Sequence, residues 1–169
     1  MNTLGNGDYA AQVLIGMSAH GNAVVQADVH NAITRMLDQE SDSNPGVAGT
    51  NLAAALNRAA AAGSPAVQHA VGLEITALAF NRYPHTALQS TDAVQALLTL
   101  APHGDGDTEL IVGRGIARIV ASAPPVSYYD LRGSGSWTEM IQNNINEMVK
   151  DHQLTGAQAR EIWQGAGWL

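Results

Sequence analysis

The stretch from Thr50 to Phe80 carries the most regular pattern of apolar and polar positions in the chain. At its centre is the segment Gly63-Ser64-Pro65. Glycine often ends a helix in a left-handed conformation, serine can cap the next helix, and proline fits the first helical position. Thr50 can cap the helix before this break, whose regular face consists of Leu52, Ala55, Leu56 and Ala59. The pattern predicts a helical hairpin with a smooth, alanine-rich contact surface.

The second helix of the hairpin has two apolar stripes at helical spacing, which predicts a central and mostly buried helix. The stripes are Val67, Val71, Ile75 and Leu78, and beside them Ala66, Ala70, Leu73, Ala77 and Phe80. Its outer face is expected to carry Gln68, His69 and Thr76. Glu74 falls between the stripes, where partial burial raises the pKa of a carboxyl group. Such a group can serve as a general acid; alternatively, it pairs with an arginine or reaches solvent.

Two helices are predicted before the hairpin. Asp8 can cap the first, from Tyr9 to His20, and Asn22 can cap the second. Regular apolar positions are Tyr9, Val13 and Met17 in the first helix and Val25, Val29, Ile33, Met36 and Leu37 in the second. Residues 41–49 are polar and rich in turn formers, which predicts a flexible connection.

Four further helices are predicted after the hairpin. Capping-box spacing occurs at Asp92 with Gln95, Ser136 with Glu139, and Thr155 with Gln158, and Asp107 can cap the remaining helix. Gly113 and Gly115 lie inside that helix, where each costs about 1 kcal/mol relative to alanine. This cost indicates a close helix contact or a bend. Residues 124–136 contain aromatic residues among Pro, Gly and Ser, and we expect an ordered surface loop there.

Length and composition point to one all-α domain. The 169 residues are 46% apolar, enough for a domain that buries about 70% of its unfolded surface. We therefore predict a compact bundle of about seven or eight helices over residues 1–169. A helical repeat array is the alternative, because Ala66-Val67-Gln68 recurs as Ala93-Val94-Gln95.

The charge of the chain narrows the classes of partner. A net charge of −7 with a single lysine, Lys150, argues against nucleic-acid and anionic-membrane surfaces and leaves another protein as the expected partner. The N-terminus lacks a secretory signal, and no apolar run is long enough for a membrane span. We expect a soluble cytoplasmic protein, or one exported without a cleavable signal peptide. Abundant alanine with scarce lysine is typical of a GC-rich bacterial source.

Local motifs give little support for a metal or cofactor. The chain has no cysteine, and its histidines lack the spacing that places two ligands on one helix face. His103, Asp105, Asp107 and Glu109 do gather at a helix start, where alternating oxygen ligands can hold a hard cation. The EF-hand pattern fails there, and acids are favoured at helix N-termini in any case. No metal and no cofactor are therefore predicted.

Two surfaces remain as candidate binding sites. Arg114 and Arg118 share a helix face and can bind a phosphate or carboxylate, or can pair with nearby acids. The loop before the seventh predicted helix, with the start of that helix, concentrates the residue types that dominate protein interfaces. Its candidate contact residues are Tyr128, Tyr129, Asp130, Arg132 and Trp137.

The first functional hypothesis is therefore a protein that acts through protein contacts, as an adaptor, an inhibitor or immunity-type protein, or an effector secreted without a signal. The alternative is a hydrolase or transferase with an acid/base site assembled across helices. That site would consist of Glu74, His103, Asp105 and Asp107. Geometry separates the two hypotheses: a Glu74 that opens into a cleft shared with His or Arg favours the enzyme, and a sealed Glu74 favours binding.

Overall fold

The computed structural model describes residues 6–43, 48–80, 88–122 and 136–169, and almost all of them are helical. The α-helices are α1 (Asn6–His20), α2 (Ala23–Ser43), α3 (Ala48–Ala62), α4 (Pro65–Ala79), α5 (Ser90–Leu100), α6 (Gly106–Ser122), α7 (Trp137–Lys150) and α8 (Gly156–Ala166). A 3₁₀ turn, Ala101–His103, follows α5. The predicted all-α bundle is confirmed. Among the described helices, none is both long and apolar enough to cross a membrane.

The helices α4 and α6 form the centre of the bundle. α4 packs against α1, α3, α5 and α6, and α6 packs against α4, α5 and α8. Around them, α2 lies on α1 and α3, while α7 lies on α8. Fully buried aliphatic side chains such as Ile33, Leu56, Ile75, Leu97 and Ile116 join the helices into one core. The prediction that the second arm of the hairpin is central is therefore confirmed.

Most of the predicted helix starts are found in the structure. The Asn22 side chain accepts hydrogen bonds from the amides of Val24 and Val25, and the capping boxes at Ser136 and Thr155 are both complete. The box predicted at Asp92 is wrong, because α5 already begins at Ser90 and places Asp92 within its first turn. The start predicted at Asp107 is also displaced, because Asp105 caps α6 instead.

The two predicted loops are only partly within the described residues. α2 continues through Ser43 and α3 begins at Ala48, so helices occupy both ends of the connection predicted over 41–49. Residues 44–47 lie outside the described segments. The predicted loop 124–136 also lies outside them, except for Ser136.

The break between α3 and α4 uses its glycine differently from the prediction. α4 begins at Pro65 as predicted, although the Ser64 side chain makes no capping hydrogen bond. Gly63 does not adopt a positive φ. A Cβ atom there would instead lie 2.8 Å from the carbonyl oxygen of Ala59 and from Val67 Cβ. The position therefore requires glycine for close approach rather than for a left-handed turn.

One apolar stripe of α4 is largely buried as predicted, whereas the other is exposed at Leu73. Val71, Ile75 and Leu78 are fully buried, but Leu73 is 60% exposed. Gln68 and Thr76, expected on the outer face, are buried instead. The expectation that Leu73 belongs to the core is therefore wrong.

The reason is that α6 packs on the face of α4 that carries its small residues. A Cβ atom on Gly72 would lie 2.8 Å from Ile111 Cγ2, and one on Gly115 would touch Thr76 Oγ1. The Thr76 hydroxyl donates to the Gly72 carbonyl at 2.9 Å, and Gln68 Nε2 donates to the Ala60 carbonyl at 3.3 Å. These polar side chains are therefore buried with their hydrogen bonds satisfied.

The helix α1 also buries a face other than its large apolar stripe. Ala11 and Ile15 enter the core, whereas Tyr9, Val13 and Met17 are 66%, 45% and 54% exposed. α1 does pack on α2, as the predicted hairpin requires. An apolar stripe that spans residues 9–17 is thus left on the surface.

Glycines set the close crossing of α6 and α8. A Cβ atom on Gly113 would touch the carbonyl oxygen of Ile162 and lie 2.8 Å from the amide nitrogen of Ala166. On the facing helix, a Cβ atom on Gly165 would lie 2.9 Å from Leu110 Cα. Of the two explanations for the helical glycines, the close contact is the one that applies.

Candidate functional site

A cleft of about 350 Å³ lies between α1, α2 and α4, and we call it the Glu74 cleft. Its apolar wall consists of Ala66, Ala70, Leu73 and Ala77, the stripe of α4 that was expected in the core. Its polar lining comes from Ser18, Gln26, His30, His69 and Glu74. Small-molecule sites usually have volumes of roughly 300–1,000 Å³ with an apolar lining and a few polar groups. The Glu74 cleft has both properties.

Glu74 is held in this cleft by a histidine from another helix. Its Oε1 atom lies 2.9 Å from Nδ1 of His30 on α2, and the two side chains are 8% and 33% exposed. Burial raises the pKa of the Glu74 carboxyl group, and the charge and hydrogen bond of His30 oppose that rise. Glu74 therefore has a basic partner, but that partner is a histidine rather than the expected arginine.

The contact with Glu74 determines which nitrogen of the His30 ring donates a hydrogen bond and which one can accept a proton. With the proton on Nδ1, His30 donates to Glu74 Oε1, and its Nε2 atom keeps a lone pair that can accept a proton. Within the described residues, Nε2 forms no hydrogen bond. A buried carboxylate behind an imidazole also stabilises the imidazolium that forms when Nε2 is protonated. The geometry is that of an oriented general base.

A second histidine–carboxylate pair borders the same cleft through its histidine, His69. Nε2 of His69 is 2.9 Å from Oδ1 of Asp105, the residue that caps α6. The same oxygen accepts from the Thr108 amide and hydroxyl, each at 2.9 Å. The hydrogen bond from His69, followed by that from the Thr108 amide, lowers the pKa of Asp105 to about 2. Asp107 is close enough for ligand atoms of all three residues to lie within 4.8 Å of one another.

His103 lies at a different groove from Glu74. That groove, of about 380 Å³, runs between α3 and α5, and alanine forms much of its wall, with Asn57 and Asp92 among its polar residues. The structure therefore does not bring His103 and Glu74 into one cleft, and the predicted arrangement around both is incorrect. His30, rather than His103, is the histidine that contacts Glu74.

Glu109 is a useful comparison for Glu74 because its carboxyl group is also buried and its pKa is also raised. It is 2% exposed, its Oε1 accepts from Gln158 Nε2 at 3.0 Å, and burial raises its pKa. Its side-chain partner is a neutral amide, and Glu109 does not line the Glu74 cleft. Glu109 therefore joins α6 to α8, whereas Glu74 combines burial with an ionisable partner and a cleft.

The other predicted site residues remain separate from this cleft. Arg114 and Arg118 are exposed on α6, and the Arg118 guanidinium lies 4.9 Å from the centre of the Phe80 ring. No salt bridge to either arginine occurs among the described residues, and anion binding there stays a prediction. Of the predicted contact residues, only Trp137 is described, half-buried against the core. Tyr128, Tyr129, Asp130 and Arg132 lie outside the described residues.

Comparison with protein-family models gives no match for this chain, and comparisons with curated proteins and with solved structures give no significant match. The function of the protein is therefore inferred from the side chains of the Glu74 cleft.

Proposed function

We propose that the protein is a hydrolase or transferase that acts on a small molecule bound in the Glu74 cleft. The observation that carries this proposal is the 2.9 Å contact between the buried Glu74 carboxylate and His30 Nδ1 at the wall of a ligand-sized cleft. This is the arrangement that favours the enzyme hypothesis over the sealed ion pair of a purely structural carboxylate.

The roles of the two residues follow from their chemistry. His30 Nε2 removes a proton from the attacking group, which is water or the substrate's own hydroxyl, and Glu74 stabilises the resulting imidazolium. The same proton then passes to the leaving group. Ser18 lines the same cleft and supplies a hydroxyl where the reaction includes a covalent step. Ala66, Ala70 and Leu73 provide apolar contact for the rest of the substrate.

The test is an activity screen with matched variants. Purified protein is offered panels of chromogenic esters, phosphate esters, amides and glycosides, and hydrolysis of at least one class is expected. Because general base catalysis contributes about 10²–10⁴-fold, His30→Ala and Glu74→Gln should lose activity by about that factor. His103→Ala is the control, since His103 is exposed at the other groove.

Two results would count against the proposal. One is unchanged turnover by His30→Ala that remains folded by circular dichroism. The other is no turnover of any class by the wild-type protein, together with no shift of Glu74-cleft resonances when a metabolite extract is added in an NMR experiment. Ser18→Ala separates a covalent route, which needs the hydroxyl, from direct attack by water.

Contact with another protein is the second candidate function, and the exposed stripe of α1 favours it. Tyr9, Val13 and Met17 form this stripe, and tyrosine is among the residues that dominate interfaces. The test is capture of a partner by the wild-type protein compared with Tyr9→Ser/Met17→Ser and with Tyr128→Ala/Tyr129→Ala. A partner lost with one double variant identifies the contact surface, and a partner retained by both excludes these surfaces.

A further inference from the structure

Three side chains of types that can bind a metal ion come together where α4 meets the start of α6. His69 comes from α4, Asp105 precedes α6, and Asp107 lies in its first turn. Their ligand atoms all lie within 4.8 Å of one another. The His69 and Asp105 side chains are 29% and 46% exposed, and His69 also lines the Glu74 cleft. The group is therefore accessible to an ion and lies at the wall of a cavity of ligand size.

The donor set selects one class of ion. An imidazole with carboxylates suits zinc and related divalent transition metals, whereas calcium and magnesium prefer oxygen ligands throughout. Two donors about 2.0–2.1 Å from a zinc ion, at an angle of roughly 90–110°, are about 3 Å apart. The 2.9 Å distance between His69 Nε2 and Asp105 Oδ1 already meets this requirement. Asp107 is exposed and can complete the set by rotating its side chain.

The neighbouring hydrogen bonds orient one ligand before any ion arrives. Thr108 holds Asp105 through both its amide and its hydroxyl, as carboxylate ligands in metal sites are commonly held. When an ion binds, it replaces the proton on His69 Nε2. His69 and Asp105 then both coordinate the ion instead of sharing a hydrogen bond. The positive end of α6 opposes a cation, and the two carboxylates offset that repulsion. Helix capping alone explains Asp105 but requires neither His69 nor Asp107.

We propose that His69, Asp105 and Asp107 bind one divalent transition-metal ion of the zinc class, with water in the remaining coordination position. An open position of this kind is typical of zinc sites that act on substrates. The metal site stands on its own geometry and does not depend on the acid/base function proposed for His30 and Glu74.

The test is isothermal titration calorimetry, in which zinc chloride is titrated into the untagged protein after treatment with a chelator. Binding of one ion per chain is expected, and cobalt chloride should give the visible absorption of a low-coordinate site. Asp107→Asn, at an exposed position, should weaken zinc binding at least as much as the roughly 10–100-fold lost when hydrogen-bond partners behind metal ligands are changed. His69→Ala should show a loss at least as large.

His103→Ala is the matched control, because it also removes an exposed histidine near the start of α6 but outside the cluster. It should bind zinc as the wild type does. Absence of stoichiometric zinc binding, or equal affinity in wild type and Asp107→Asn, overturns the proposal. Binding of calcium or magnesium in preference to zinc also overturns it, because the donor argument then fails. None of these readouts involves catalysis, so they are independent of the activity screen.

Discussion

The close crossing of α6 and α8 makes the stability of the protein sensitive to a single methyl group added at Gly113. In Gly113→Ala, the added Cβ atom would touch the carbonyl oxygen of Ile162 and lie 2.8 Å from the amide nitrogen of Ala166. Both are backbone atoms of α8, so no side-chain rotation relieves the contact. The two helices must separate, which disturbs buried neighbours such as Val112 and Ile162.

The magnitude follows from two opposing effects. Replacing glycine by alanine inside a helix gains about 1 kcal/mol from backbone entropy. Overpacking a core costs about 1–3 kcal/mol, and a clash with backbone places the cost at the upper end. The net loss is about 2 kcal/mol, which for a domain of this size lowers the melting temperature by about 4–8 °C.

The assay is urea denaturation and thermal melting, both followed by far-UV circular dichroism. Gly16→Ala in α1 is the matched control, because a Cβ atom there has nothing within 4 Å. Without a clash, this variant should gain about 0.5–1 kcal/mol. The two substitutions are chemically identical and should have opposite signs. A Gly113→Ala protein as stable as the wild type would refute the close crossing.

The burial of α4 and the ionisation of Glu74 give two further predictions. Leu73→Ala should change the free energy of unfolding by only about 0.5 kcal/mol or less, as at a surface position. Ile75→Ala should cost about 2–5 kcal/mol. If urea denaturation gave similar losses of stability for Leu73→Ala and Ile75→Ala, the observed orientation of α4 would be contradicted. For Glu74, the folded-state pKa is raised above its ordinary value of 4.5, so its contribution to stability is fully present below that pH and is lost as the pH rises through the raised pKa. The stability of Glu74→Gln relative to wild type should therefore increase as the pH rises above about 4.5, and a difference that stays constant with pH would show that Glu74 has no raised pKa.

The sequence predicted best the features that depend on neighbouring residues in the chain. Asn22 and the capping boxes at Ser136 and Thr155 act within three residues of themselves, so their spacing alone identifies them. The alanine-rich face of α3 and the Pro65 start of α4 are local in the same sense. Element order and the all-α class followed from these signals.

Which face of each helix is buried proved harder to predict, because apolar periodicity measures hydrophobicity and does not measure size. On α4, Gly72 and Thr76 allow α6 to approach closely, and the Thr76 hydroxyl is satisfied by the backbone. On α1, Ala11 and Ile15 are buried while Tyr9 and Met17 are exposed. On α4, the prediction replaced a small, closely packing face with a larger apolar one, whereas on α1 it replaced one apolar face with another.

The candidate site could be predicted only in part, because its pairs form between distant positions. Glu74 stood out through its own helical neighbours, but its partner His30 is 44 residues away. His69 and Asp105 are 36 residues apart, so a search for local metal motifs cannot find them. The acids at the start of α6 were recognised, and the histidine that approaches them was not.

The unexpected packing of α4 and the position of the candidate site have one physical cause. Because Gly72, Thr76 and Gly115 bring α6 onto one face of α4, the stripe with Ala70 and Leu73 faces α1 and α2 instead, and these helices do not close over Leu73. That stripe becomes the apolar wall of the Glu74 cleft. The close approach of α6 also carries Asp105 to within hydrogen-bond distance of His69. The same small residues that displace Leu73 from the core therefore open the cleft and assemble the metal ligands beside it.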